Sequence, residues 1–185
     1  MYRLVHATDM AEIPESFRDT PVSDLLLYHN AQLPQKNYTQ PELLIGMCMD
    51  SRKTLNIPEN FAFIMRSGGA NVRYSEFNIS YAIGVGGIDY MALMGHTQCG
   101  MVNLTERKEQ FIQGLCDHAG WSAAQAEEHF MQHSPLFEIG DEIDFILNET
   151  KRLALRYPKV KVAPLLYKVE DNLLYWIDDH LSLKK

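Results

Sequence analysis

The chain has 185 residues, long enough to bury a substantial core and short enough to read as one domain. The balance of 17 basic against 24 acidic residues gives a net charge of −7, and no basic stripe offsets it, which argues against a nucleic-acid partner. No apolar stretch is long enough to cross a bilayer, no charged and apolar leader opens the chain, and three cysteines cannot complete a disulfide framework; a cytoplasmic location is expected.

In chain order, residues 1–19 carry no period and read as an irregular lead-in. A short helix starts near Ser23, which is placed to cap it, with Leu25 to Tyr28 as its apolar surface. Residues 29–41, with Pro34 and Pro41, form a linker. Residues 42–49, with an apolar run from Leu43 to Met47, and 61–66, a hydrophobic run ended by Arg66, read as buried parallel strands. Gly68 and Gly69 mark a tight turn; a phosphate-binding domain is disfavoured, since neither the G-x-G-x-x-G pattern nor a Walker lysine is present. A helix over 75–82 and a strand over 89–95 complete a strand-helix-strand crossover.

Two helical stretches follow, one through Cys116 and one over 121–132, separated by Gly120. Cys116 falls among Phe111, Ile112 and Leu115 as inert packing. Pro135 is expected in the first turn of a last long helix that runs to Arg156. Residues 160–169 read as a fourth strand, which Pro164 demotes in part to an edge or a bulge, and 173–183 as a terminal helix or strand. The fold class is α/β: a mostly parallel central sheet with helices on both faces.

Two strand ends carry the chemistry. Cys48-Met49-Asp50-Ser51-Arg52 follows one apolar run and Gly95-His96-Thr97-Gln98-Cys99-Gly100 another. Ligands collect beyond the carboxyl ends of strands in open α/β sheets. Cys48, His96 and Cys99 suit a borderline-soft ion, zinc above all, with a fourth position left for water or Asp50. The bland reading is two buried thiols and a hydrogen-bonded core histidine. His129 and His133, four apart, lack the glutamate of H-E-x-x-H and read as an exposed helical face rather than a second metal site. Glu127-Glu128 and Asp141-Glu142 read as dipole partners and solvent-facing charge near helix starts, and Ser51 lacks the surroundings of a hydrolase nucleophile.

The segments Cys48-x-Asp50-Ser51-Arg52, Arg66-Ser67-Gly68-Gly69 and Gly95-His96-x-x-Cys99-Gly100 resemble the signatures of the beta-class carbonic anhydrases, well over residues 41–101 and loosely beyond. The resemblance implies reversible hydration of carbon dioxide to bicarbonate by a zinc-bound hydroxide, with Cys48, His96 and Cys99 as ligands and Asp50 and Arg52 as the catalytic pair. Asp50 either serves the zinc-bound water or closes the fourth position in an inactive state. It further implies a single zinc-binding domain over 1–185 whose N-terminal helical arm, about 1–40, reaches a second subunit, and a homodimer or an assembly of dimers. The apolar Leu25 to Tyr28 segment, with nothing in the sequence to anchor it, points the same way.

Three departures stand out: Ser67-Gly68-Gly69 where the family usually has Asn-Ala-Gly, Gln98 where it commonly has aspartate, and Met101 where a small residue often follows. They leave room for a related small electrophile, carbonyl sulfide or carbon disulfide, in a cavity flanked by Met, Phe and Tyr. The reading from another class is a structural zinc site permanently closed by Asp50.

Overall fold

The computed structural model describes residues 2–179, in which six strands form one sheet. In chain order the elements are β1 (Arg3–Val5), α1 (Pro21–Asn30), β2 (Leu43–Met47), β3 (Ala62–Arg66), α2 (Glu76–Gly84), β4 (Tyr90–His96), α3 (Lys108–Ala119), α4 (Ala123–Phe137), α5 (Glu142–Arg156), β5 (Lys161–Lys168) and β6 (Leu173–Asp178). The sheet order is β1-β6-β5-β4-β2-β3. The pairs β3–β2, β2–β4 and β4–β5 are parallel, and β5–β6 and β6–β1 antiparallel. The expected mostly parallel α/β sheet is present.

Strand β2 is buried at every position, and its alternation divides the core in two. Leu43, Ile45 and Met47 face a cluster with Ala92 and Met94 of β4, covered by Val22, Leu25 and Leu26 of α1. Leu44, Met91 and Leu93 face the opposite cluster, covered by Ile79 of α2 and by Ile143, Ile146 and Leu153 of α5. Helices therefore cover both faces. Helix α5 lies so close to β4 that a Cβ at Gly95 would come within 2.8 Å of the Ile146 side chain. That approach brings the start of α5 to the end of β4.

The N-terminal segment departs from expectation. It does not extend away as an arm: β1 adds an antiparallel edge to β6, and Leu25 to Tyr28 of α1 are buried in the chain's own core. Helix α1 is apolar on several sides and needs cover, which its own sheet supplies. That segment therefore lends no support to a dimer. Its cap is Thr20 rather than Ser23, with Pro21 at the first helical position. The Val22 N–H donates to Thr20 Oγ1 (3.3 Å), and Ser23 Oγ accepts from the Thr20 N–H (3.0 Å).

Two proline readings also change. Pro135 lies in the last part of α4, not at the start of the final helix; α5 is started by Asp141, whose Oδ1 accepts from the Ile143 and Asp144 N–H groups, both at 2.9 Å. Pro164 lies inside β5, a central strand. It pairs with Leu93 of β4, while the ladder to β6 begins one residue later at Leu165, so the missing N–H falls where that ladder ends. The last expected segment is a strand as far as Asp178, and 180–183 lie outside the described residues.

One buried charge cluster had no visible signal. Glu149 of α5 is fully buried and accepts from Arg73 (2.8 Å) and Arg152 (2.7 Å), while Arg152 and Arg156 also reach Glu76 of α2. A carboxylate in that position is tolerated because it is paired on both sides. Among the described residues no helix is long and apolar enough to cross a membrane.

Candidate metal centre

Strands β2 and β4 run parallel with Met47 opposite Met94, so the residues that follow each strand emerge at the same edge of the sheet. Cys48, His96 and Cys99 are each at most 5% exposed, and their ligand-type atoms lie within 4.8 Å of one another. Among the described residues this is the only group of three or more such side chains. The sequence-expected trio is thus brought together.

The state of these groups tests whether an ion fits. His96 Nδ1 lies 2.9 Å from the Thr97 carbonyl oxygen, which can only accept, so Nδ1 carries the proton. The other ring nitrogen, Nε2, is then a bare acceptor, and it is buried with no hydrogen-bond partner. Such an orphan costs free energy unless something electrophilic meets it. The two sulfurs lie 4.0 Å apart, within reach of each other. Cys48 Sγ accepts from the Gly69 N–H (3.3 Å) and shares a hydrogen bond with Cys99 Sγ; that shared bond pushes the Cys48 pKa down and, with burial, pushes that of Cys99 up. Two buried sulfurs this close can share one cation when both are thiolates. Two sulfurs and an imidazole fit zinc.

Asp50 stands beside this cluster, its Oδ2 4.0 Å from His96 Nε2. Arg52 grips it with Nη2 on Oδ2 (2.7 Å) and Nε on Oδ1 (3.1 Å), and the Arg52 backbone N–H adds a bond to Oδ1 (2.9 Å). These bonds hold the Asp50 carboxyl well below the usual carboxylate range. Arg52 also reaches Gln98, and Gln98 in turn reaches Glu170.

Three further residues shape the loop. Lys53 is buried, donates to the Asp50 carbonyl oxygen (3.1 Å), and has its pKa lowered by burial. Arg66 donates to the carbonyl oxygens of Cys48, Asp50 and Lys53 at 3.3–3.4 Å. Gly69 has φ +63°, and a Cβ there would press on Ile139 and Met101, so the expected turn also delivers an N–H to sulfur.

Sequence reasoning misplaced two groups. Glu142, read as solvent-facing charge, accepts from the Cys99 N–H (3.1 Å) because α5 begins beside the site. His129 and His133, read as an exposed face, are half-buried with ring centroids 4.5 Å apart. They line a cavity of about 360 Å³ with Met49, Met101, Phe130 and Phe137. The expected Met and Phe lining is there, with histidine in place of tyrosine. Met49 also borders an open cleft that contains Asp50, Arg52, Gln98 and Arg107. Cys116 is half-buried on α3, outside both.

The profile of the carbonic anhydrase family matches residues 43–171. No curated protein sequence matches the chain. Among solved structures, it is similar to a beta-carbonic anhydrase of Trichomonas vaginalis, at 17% identity over 80% of this chain and 90% of that one, with a TM-score of 0.62. A carbonic anhydrase from Glaciozyma antarctica is 20% identical over 88% and 98% of the two chains, with a TM-score of 0.57. The apo form of a carbon disulfide hydrolase is 20% identical over 83% and 84%, with a TM-score of 0.52. With a family match over most of its length and the same fold in these structures, the chain belongs to the beta-carbonic anhydrase family.

Proposed function

We propose that the protein is a zinc-dependent lyase that hydrates carbon dioxide reversibly to bicarbonate, with Cys48, His96 and Cys99 holding the ion. The observation that carries this reading is the bare, buried His96 Nε2, with two sulfurs on one side and the ionised Asp50 4.0 Å away on another. A zinc ion bound there supplies Lewis acidity, which makes water a nucleophile near neutral pH. The chain does the rest. Asp50 is placed to accept a hydrogen bond from the attacking water and so to orient it, and Arg52 keeps that carboxylate ionised and aimed. The Gly69 N–H on Cys48 and the Glu142 carboxylate on the Cys99 N–H fix the positions of the two thiols. The cavity beside Met49 admits a neutral apolar molecule, and the open cleft on its other side gives a charged product a way out.

A second reading, hydrolysis of carbonyl sulfide or carbon disulfide, is favoured by one observation: the Met101 side chain packs where a Cβ at position 68 would meet its sulfur at 3.1 Å, giving the cavity a soft, apolar wall. Stopped-flow measurements on the zinc-loaded protein decide between the two. Catalysed proton release from carbon dioxide, with no hydrogen sulfide released from either sulfur compound, is the expected result. Sulfide release without carbon dioxide hydration would transfer the site to the second reading, and neither activity would leave the ion structural.

We also propose a homodimer and a cytoplasmic location, where Cys48 and Cys99 stay reduced. Support for the dimer lies in the family and in an apolar face beside the free edge of the sheet: Ile64 of β3 and Phe77, Tyr81 and Val85, four residues apart, are 47–78% exposed. Light scattering is expected to return twice the chain mass, and Phe77→Glu to lower it. A monomer at micromolar concentration with full activity overturns this.

A further inference from the structure

Asp50 does not use all of Arg52's hydrogen-bonding capacity. Nε and Nη2 serve Asp50, while Nη2 also donates to the Gln98 carbonyl oxygen (3.0 Å) and Nη1 to its side-chain oxygen (3.4 Å). Gln98 sits at φ +59°, in the left-handed region that a residue with a side chain enters only at a cost. Its Nε2 donates to Glu170 Oε1 (2.9 Å), and Thr97 Oγ1 donates to Glu170 Oε2 (2.7 Å). The Thr97 hydroxyl is itself fixed by the Val169 N–H (2.9 Å). One carboxylate, from the turn between β5 and β6, thus holds both residues that lie between His96 and Cys99.

The chemistry of the three groups gives this arrangement a direction. A guanidinium only donates and a carboxylate only accepts. The Gln98 amide, set between them, has one satisfactory orientation: NH2 toward Glu170 and oxygen toward Arg52. Turned by half a rotation, it would oppose donors to the guanidinium and an oxygen to the carboxylate. Glu170 therefore selects the orientation in which Gln98 can hold Arg52. The Thr97 hydroxyl and the Gln98 amide keep the Glu170 carboxyl below its ordinary value, so it is ionised. Position 98 thus carries a neutral relay, and the charge is brought in from 72 residues away.

We propose that Glu170 is a positioning residue for the Asp50–Arg52 pair, acting through the orientation of the Gln98 amide. Its effect on rate rests on the proposed hydration reaction; its effect on Arg52 does not. The test therefore reads both, on zinc-loaded protein. Glu170→Ala and Gln98→Met are each expected to lower kcat per bound zinc about tenfold, with KM and zinc content unchanged. The double variant is expected to be no slower than Gln98→Met alone, because the two residues act in series.

The second readout is solvent exchange of the Arg52 Nη1 protons, which face the Gln98 side-chain oxygen, followed by 15N NMR and assigned by the loss of their signal in Arg52→Lys. It is expected to be about fivefold faster in Glu170→Ala and Gln98→Met, as the loss of one net hydrogen bond gives. The exchanged pair Q98E/E170Q puts a carboxylate where it accepts from both Arg52 and the new amide, and is expected to restore both readouts. Wild-type exchange in Glu170→Ala overturns the proposal, whatever the rate does. Faster exchange in a protein whose wild type does not hydrate carbon dioxide upholds the positioning role and removes the reaction assigned to the site.

Discussion

Asp50→Asn and Arg52→Ala are expected to lower carbon dioxide hydration per bound zinc by about 10²-fold or more, with zinc content and fold retained, the loss typical of removing a positioned proton-transfer or electrostatic group. The asparagine keeps the shape of Asp50 but turns one of its two acceptor atoms into a donor that faces the Arg52 guanidinium. The alanine removes the grip and leaves the carboxylate free to turn out of the orientation that Arg52 gave it. The competing account is an ion pair at a strand end, whose loss would change stability by only about 0–1 kcal/mol and the rate not at all. Stopped-flow rates normalised to zinc, for wild type and both variants, separate the two. Equal rates in all three would reject a catalytic pair.

The second large effect concerns the ion. Cys99→Ser is expected to weaken zinc binding more than the roughly 10–100-fold that loss of a supporting partner costs a metal site, because here a donor itself is lost. A serine hydroxyl stays protonated near neutral pH and is a harder donor than thiolate. Cys99 is only 5% exposed, so water has little room to replace it. Zinc measured after dialysis should fall from about one per chain to a small fraction, and the thermal midpoint should fall with it. A variant with unchanged zinc content would show that Cys99 is not a ligand.

The parts of this protein that could be read from its sequence are those governed by local rules. The apolar runs before Cys48 and His96 marked β2 and β4, and the motif after each marked the site edge. The failures share a cause. Glu142 and Glu170 lie 43 and 72 residues from the groups they hold, and nothing near either one signals the contact. Leu25 to Tyr28 announced that they needed cover but not that β1 and β6 would carry the chain back to supply it. Pro164 obeys the rule that demotes proline in a strand, yet the ladder on one side simply stops beside it. His129 is half-covered because α3 packs Phe111 against it and Phe130, and His133 packs on His129 in turn.

The pairing of β2 with β4 has a consequence for the life of the polypeptide. His96 and Cys99 belong to one turn, but Cys48 is 51 residues from Cys99 and joins them only when the two strands have zipped together. An opened chain offers an ion a two-point handle at best. By mass action, each tenfold rise of free ion above its dissociation constant then favours the closed chain by about 1.4 kcal/mol. With the ion held as proposed, copies made where the metal is scarce are expected to open more often and to meet proteases first, so that its supply would set abundance as well.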